Sequence, residues 1–142
     1  MVAVLRFFVY LWVMPGTLIG LSFVPLALFS GGGMQVIDGV LEAYGGRLKS
    51  LLAQPFWAMG PISAITLGHV VLGCDRPTLQ RTRLHERVHV RQYERWGPFF
   101  IPAYLAASAW IRFRGGNAYL DNPFEVEAYS IADGFGDPPA SA

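Results

Sequence analysis

The sequence predicts an α+β membrane protein, and three observations support this class. The chain of 142 residues is 53% hydrophobic and only 15% charged, with a mean hydropathy of +0.36, whereas an average soluble domain is roughly 25% charged. Residues 7–29 carry no charge, and a stretch of that length can cross a bilayer as a helix. A β-branched run at 62–72 and an uninterrupted helical pattern at 79–96 predict both strand and helix in the remainder.

The uncharged stretch at 7–29 is predicted to be a retained transmembrane helix. Pro15 and Pro25 would kink it, which membrane helices tolerate. The alternative is a cleaved signal peptide, whose apolar region would normally be shorter, at about 7–15 residues. A glycine-rich break follows, so residues 1–33 are predicted to be an anchor and residues 34–133 a domain with further membrane-associated segments.

The segments between the anchor and the long helix are less regular. Residues 34–44 contain apolar residues and end at a glycine pair, which predicts a short strand or hairpin. A second uncharged run, 50–74, is long enough for a span, but glycine and proline interrupt it. Within it, residues 51–58 are predicted to be helical or interfacial, and residues 62–72 a strand.

The most informative stretch is His85-Glu86-Arg87-Val88-His89, an H-E-x-x-H pentapeptide. Residues i and i+4 lie on one face of a helix, so the two imidazoles can bind one metal ion together. Glu86 then lies beside a water that the metal activates, where it can act as general base. The alternative is a surface helix whose histidines and glutamate are merely solvated.

The helix that carries this motif is predicted to run from Leu79 to Trp96. Thr78 can cap it, and Gly97-Pro98 ends it. One stripe of this helix contains both histidines and continues through Gln92 to Trp96. A second stripe, at i+4 spacing, is basic and indicates either a solvated face or contact with anionic lipid head groups: Arg83, Arg87, Arg91 and Arg95.

A catalytic zinc site needs a third protein ligand and one open position. Candidates lie in the segment 122–129, where Asn122 and Pro123 are suited to begin a helix. Glu125 and Glu127 are two residues apart, about 200° around a helix, so only one is expected to face the metal. The alternative is that both are first-turn acids that complement the helix dipole.

H-E-x-x-H followed by a glutamate on a later helix resembles the gluzincin class of zinc metallopeptidases, and the short chain resembles the minigluzincins. The pairing of H-E-x-x-H-x-x-Q with N-P-F-E-x-E-A-Y is also similar to small bacterial membrane proteins. The resemblance covers about residues 62–133 and implies a minimal zincin-like unit: a short sheet, the H-E-x-x-H helix, an apolar helix and a glutamate-bearing helix. It implies peptide-bond hydrolysis with Glu86 as base, Glu127 as the alternative third ligand, and Zn²⁺ held by His85, His89 and Glu125.

In related membrane zinc peptidases the third ligand lies in an E-x-x-A-D pattern, whose aspartate supports a histidine ligand. Glu125 and Ala128 match that pattern here, but Tyr129 stands where the aspartate would be. The supporting carboxylate is therefore unassigned, and Asp121 or Asp133 could replace it.

The resemblance also implies a donor that stabilises the oxyanion formed from the peptide carbonyl. In gluzincin-like folds a strand before the metal helix holds an extended substrate by backbone pairing, and a strand at 62–72 would present His69 near the cleft. Gln92 is a further candidate for supporting the site. The sequence leaves four candidate oxyanion donors open: Tyr93, Tyr119, Tyr129 and His69.

The remaining segments concern the membrane. The apolar run 97–111 is short for a span and would fit a tilted span, a re-entrant segment or an interfacial helix. Residues 134–142 are predicted to be a disordered tail. Eight of the eleven basic residues fall within 76–114, which predicts that this part faces the cytoplasm at a bacterial inner membrane.

The expected partners are the lipid bilayer and a peptide or membrane-protein substrate. The net charge of +1 gives no general case for nucleic acid, and the oligomeric state is left open. The alternative function is a non-catalytic or latent membrane protein with a structural metal site or none.

Overall fold

A computed structural model of the protein describes residues 2–54 and 61–135. The described chain is α+β, as predicted, and its elements follow in this order: α1 (Val2–Leu28), β1 (Gly33–Ile37), β2 (Val40–Tyr44), α2 (Gly46–Leu52), β3 (Ala64–Leu67), β4 (Val70–Gly73), α3 (Arg76–Trp96), a 3₁₀ helix (Gly97–Phe99), α4 (Phe100–Phe113) and α5 (Pro123–Phe135).

The four strands form one mixed sheet in the order β1-β2-β4-β3. β1 and β2 are an antiparallel hairpin joined by Asp38-Gly39, a dipeptide typical of tight turns, which confirms the hairpin interpretation of residues 34–44. β2 pairs with β4 in parallel, and β3 with β4 antiparallel. The single strand predicted over 62–72 is wrong, because the chain reverses at Gly68, whose positive φ of 64° suits glycine. The apolar run conceals this turn because every residue of β4 is buried.

Helices cover both faces of the sheet. α1 and α2 pack on one face, where Val24 and Leu48 join the core residues Val70 and Leu72. α3 packs on the other face through a second cluster formed by Val40, Val71, Leu79 and Val90. The predicted boundary at residue 33 therefore separates segments that share one core.

α1 approaches the sheet and α3 closely through small residues. A Cβ on Gly16 would lie 2.8 Å from the Tyr93 ring, and one on Gly20 would lie 2.7 Å from Val70. α1 is also the one described helix long and apolar enough to cross a membrane, with a mean hydropathy of 1.8. The same helix is thus both a candidate membrane segment and part of the fold.

Several predicted boundaries shift. α3 starts three residues before the predicted Leu79, because Asp75 rather than Thr78 is the cap: the Asp75 carboxylate accepts the Thr78 N–H at 2.8 Å. Pro77 fits inside the first turn, where its missing N–H costs nothing. Residues 51–58 were predicted to be helical or interfacial: α2 ends at Leu52, and residues 55–60 lie outside the described part. Of the predicted tail, residues 134 and 135 belong to α5, and the remainder lies outside the described residues.

Candidate metal centre

The two histidines of the pentapeptide meet one glutamate of α5. His85 and His89 are one turn apart on α3, and their Nε2 atoms are 3.1 Å from each other. Glu125 Oε2 lies 3.1 Å from His85 Nε2, and Oε1 lies 3.4 Å from His89 Nε2. These three side chains form the one group in the described residues that could hold a metal ion.

Gln92 contacts both His89 and the alternative ligand Glu127. The His89 Nδ1 atom lies 2.8 Å from Gln92 Oε1, and an amide oxygen can only accept, so Nδ1 carries a proton and Nε2 is the nitrogen that would lose its own proton to bind a metal. The Gln92 amide group donates to Phe124 O at 3.0 Å and to Glu127 Oε2 at 2.8 Å. Glu127 is thus bound by Gln92 and is not part of the histidine group, and Gln92 links α3 to α5.

His85 has a different environment. The ring of Tyr129 packs against it, with centroids 4.5 Å apart, so the residue that replaces the expected aspartate contacts this ligand through its ring. His85 Nδ1 is buried and has no hydrogen-bond partner among the described residues. Asp121 instead accepts the Asn117 N–H, at 2.7 Å. Asp133 lines the nearby cavity, and the structure records no hydrogen bond between either aspartate and His85.

Tyr104 contacts Glu125 directly, and Asn122 fixes the helix start and the tyrosine beside it. The Tyr104 hydroxyl of α4 donates to Glu125 Oε1 at 2.7 Å. Asn122 caps α5 by accepting the Phe124 N–H at 3.0 Å, and its amide donates to Tyr104 O at 3.1 Å. Asn122 was predicted from its position before Pro123, whereas Tyr104 was missed because nothing local links it to the motif.

The electrostatics of the cluster favour a cation. Burial alone raises the pKa of Glu125, but hydrogen bonds from His85 and His89 outweigh it and bring that pKa down to about 2. Burial lowers the pKa of His89, yet the hydrogen bond to Glu125 and the charge of Glu86 raise it overall. A positive charge among these side chains is therefore stabilised.

Glu86 is buried beside the cluster. Its carboxylate accepts the hydroxyl of Thr66 in β3, with Oε2 and Oγ1 2.7 Å apart. Burial raises the pKa of Glu86, and the neighbouring histidines and Thr66 offset this only in part. Thr66 was not predicted as a site residue, since a threonine within a β-branched run carries no distinguishing signal.

A cavity of about 580 Å³ opens beside Glu86 and the cluster. β3 forms one wall, and α4 and α5 form the other, with Ile101 and Leu105 making it largely apolar. Of the four candidate oxyanion donors, three line the cavity: Tyr93, Tyr119 and Tyr129. The hydroxyls of Tyr119 and Tyr129 lie 3.1 Å from each other.

His69 does not line this cavity. It lies in the turn between β3 and β4, where its Nε2 is 3.1 Å from Glu94 Oε1 and its ring packs against Tyr10, with centroids 4.6 Å apart. The strand that was expected to present His69 to the cleft instead presents Thr66.

The basic stripe of α3 has protein partners. Arg83 binds Glu42 of β2 through two nitrogens, at 2.9 and 3.0 Å. Arg87 donates to Ile37 O at 2.7 Å and lies 3.6 Å from Glu42, while Arg95 lies 3.5 Å from Glu127. Arg91 is exposed. Contact of this stripe with lipid head groups stays a prediction, and Arg83 and Arg87 also hold α3 on the sheet.

A comparison of the chain with protein-family models, curated proteins and solved structures finds no match. The resemblance to gluzincins therefore rests on the motif residues themselves.

Proposed function

We propose that this protein is a membrane-associated, zinc-dependent metallopeptidase of the gluzincin type. The observation that carries the proposal is the combination of three potential ligands, His85, His89 and Glu125, with a buried carboxylate beside them at an open cavity. A structural zinc site is normally closed by four protein ligands and needs no base.

The geometry of the cluster fits zinc. Ligands about 2.0–2.1 Å from a tetrahedral zinc ion lie roughly 3.4 Å from each other. Here His85 Nε2 is 3.1 Å from both His89 Nε2 and Glu125 Oε2, and one ligand atom from each of the three residues lies within 4.8 Å of the other two. Two imidazoles and one carboxylate are a donor set that zinc accepts. Glu125 Oε2, buried and 3.1 Å from His85 Nε2, is the oxygen placed to bind the ion.

The side chains around the cavity have distinct roles in the proposed hydrolysis. Zinc, when bound, supplies a Lewis acid that polarises the peptide carbonyl and acidifies a water. Glu86 accepts the proton of that water and returns it to the leaving amine, for which its raised pKa is suited. Thr66 orients Glu86, and the hydroxyl pair of Tyr119 and Tyr129 offers a donor to the carbonyl oxygen.

The cavity wall and the basic residues of the chain bear on the substrate and on the side of the membrane. The apolar wall of the cavity suits a peptide segment with large apolar side chains, such as part of a membrane protein. We place the cavity on the cytoplasmic side of a bacterial inner membrane, on the basis of the basic residues within 76–114.

Metal analysis of the purified protein tests the site. We expect about one zinc per chain by mass spectrometry, lost in Glu125→Ala and kept in the matched control Glu127→Ala, since Glu127 contacts Gln92 and Arg95 instead. Zinc that survives Glu125→Ala would refute the ligand set. Zinc bound as expected, but with no cleavage of unstructured or membrane-derived peptides, would favour the latent or structural alternative.

A further inference from the structure

One face of α1 is buried from Val13 to Ala27, and the opposite face is exposed. The buried positions follow a single stripe: Val13, Gly16, Gly20, Val24 and Ala27. The residues about 180° away, together with Phe29 just past the end of the helix, define the uncovered face of α1: Val4, Leu11, Leu18 and Phe29. These four side chains are between 49% and 91% exposed. α1 thus presents a largely apolar strip on its outer side, in which the exposed Ser22 donates its hydroxyl to Ile19 O.

Neighbouring elements extend this strip. Met34 and Val36 of β1 pair with Ala43 and Leu41, which belong to the core beneath α1 and α2, so Met34 and Val36 face the same side of the sheet as α1. Both are at least half exposed. Phe99 adds a further exposed ring at 6.1 Å from Trp12.

Positive charge borders the strip at both ends. Arg6 lies near the start of α1, and α2, which begins beside Ser30, carries Arg47 and Lys49. All three are exposed, and residues 1–37 contain no acidic residue. An apolar strip with basic ends matches a bilayer with anionic head groups.

A transmembrane orientation of α1 conflicts with the packing of the rest of the chain. α1 contacts other elements from Tyr10, which packs on His69, to Ala27, which lies in the sheet core. These 17 steps of helix cover about 26 Å, nearly the whole hydrocarbon thickness of roughly 30 Å.

If α1 spanned the bilayer, the sheet would lie at the same depth as the lipid tails. β1 and β3 are edge strands, and the unpaired backbone groups of an edge are not tolerated in lipid. Glu94, bound to His69 and 41% exposed on its side chain, would lie there as well.

We propose that α1 lies in the plane of the membrane, with its uncovered face in one leaflet of an anionic bilayer. The sheet then stacks above α1 on the water side, and α3 lies above the sheet. No polar element has to enter the hydrocarbon, and both ends of α1 stay on one side of the membrane. This inference does not depend on the metal site or on any catalytic activity.

Depth measurements along α1 test the proposal. In a Cys74→Ser background, single cysteines at positions 4, 11, 18 and 29 receive an environment-sensitive fluorophore. The labelled full-length proteins are added to vesicles of phosphatidylcholine and phosphatidylglycerol that carry lipid quenchers at known depths. An in-plane helix gives one shallow depth for all four labels, about 5–10 Å into the head-group and acyl boundary. A label at Gln80, exposed on α3, is the unquenched control.

Two results would overturn the proposal. A depth profile that is deepest at positions 11 and 18 and shallow at 4 and 29 would show a transmembrane helix. Labels that escape lipid quenching but transfer energy between chains would show that a second copy covers the face. A second test does not rely on labelling. Leu18→Glu should no longer sediment with the same vesicles, while its circular dichroism stays that of the wild type. Unchanged sedimentation of this variant would count against the in-plane helix.

Discussion

Glu42 of β2 and Glu125 of α5 are both almost fully buried, at 2% and 3% exposed. Each contacts a pair of basic side chains on α3, but the pairs differ: arginines for Glu42 and histidines for Glu125. Glu42 belongs to the arginine cluster (Gln35, Glu42, Arg83 and Arg87), where two guanidinium groups and an amide surround its oxygens. Glu125 belongs to the histidine cluster (His85, Glu86, His89 and Glu125), where its two oxygens lie 3.1 and 3.4 Å from imidazole nitrogens.

The difference lies in the kind of cation available. Arginine stays protonated in proteins, so the charge of Glu42 is balanced by the chain itself and its site is closed. Histidine can lose its proton and present a lone pair, so the charges of Glu125 and Glu86 can be balanced by a cation that enters from outside. α3 therefore carries two i+4 pairs that are offset by two residues. Arg83 and Arg87 form the structural cluster, and His85 and His89 form the candidate metal site.

The largest expected effect concerns Glu86. Glu86→Gln should lower peptide hydrolysis by about 10²–10⁴-fold, because a general base contributes that much, while the zinc content stays at the wild-type value. Glu42→Gln makes the same chemical change in the arginine cluster, and its hydrolysis rate per folded, zinc-loaded chain should match wild type. Equal losses of hydrolysis in the two variants would erase the functional distinction between the clusters.

The next effect concerns stability. Arg83→Met leaves the buried Glu42 with only part of its counter-charge, so the free energy of unfolding in detergent should fall by about 3 kcal/mol, the lower end for a broken buried pair since Arg87 remains. Arg91→Met is the matched control on an exposed turn of the same helix, with a change within about 0.5 kcal/mol. Denaturant titration of both variants measures this, and a small effect of Arg83→Met would mean that the arginine cluster does not secure α3 to the sheet.

A smaller effect, on zinc affinity, is expected from Gln92, which contacts the ligand His89. Gln92→Leu removes the acceptor for His89 Nδ1 and the link to α5, so the affinity for zinc should fall by about 10–100-fold, as for other groups that orient a ligand. Competition with a chelator of known affinity measures the change. An unchanged affinity with an intact fold would show that packing alone orients His89.

The smallest effect is the pH dependence of the arginine cluster. Burial raises the pKa of Glu42, but Arg83 and Gln35 outweigh it, so the pKa lies below its ordinary value of 4.5. The folded state therefore gains stability from Glu42 above that ordinary value and loses it as the pH falls through the lowered pKa. The stability difference between wild type and Glu42→Gln should shrink from about pH 6 to about pH 3. A difference that is constant over this range would contradict the assignment.

The metal face was predictable from local patterns. Helical periodicity puts His85 and His89 on one face, and Asn122-Pro123 marks the start of the helix that carries Glu125. The 200° between Glu125 and Glu127 shows that only one of them can be a ligand, and their common segment leaves the choice open. These predictions depend only on residues within one helical turn of each other or on the residues that begin a helix.

By itself, the sequence determined the α+β class, a strand or hairpin at 34–44, the helix with the pentapeptide, and a metal group made of His85, His89 and either Glu125 or Glu127. The tertiary structure alone decided that Thr66 holds Glu86, that Tyr104 holds Glu125, and that Arg83 binds Glu42. It also decided that α1 belongs to the core of the sheet. Most of these contacts join segments 20 or more residues apart, where no periodicity or capping rule relates the partners, so only the packing of the helices on the sheet selects them.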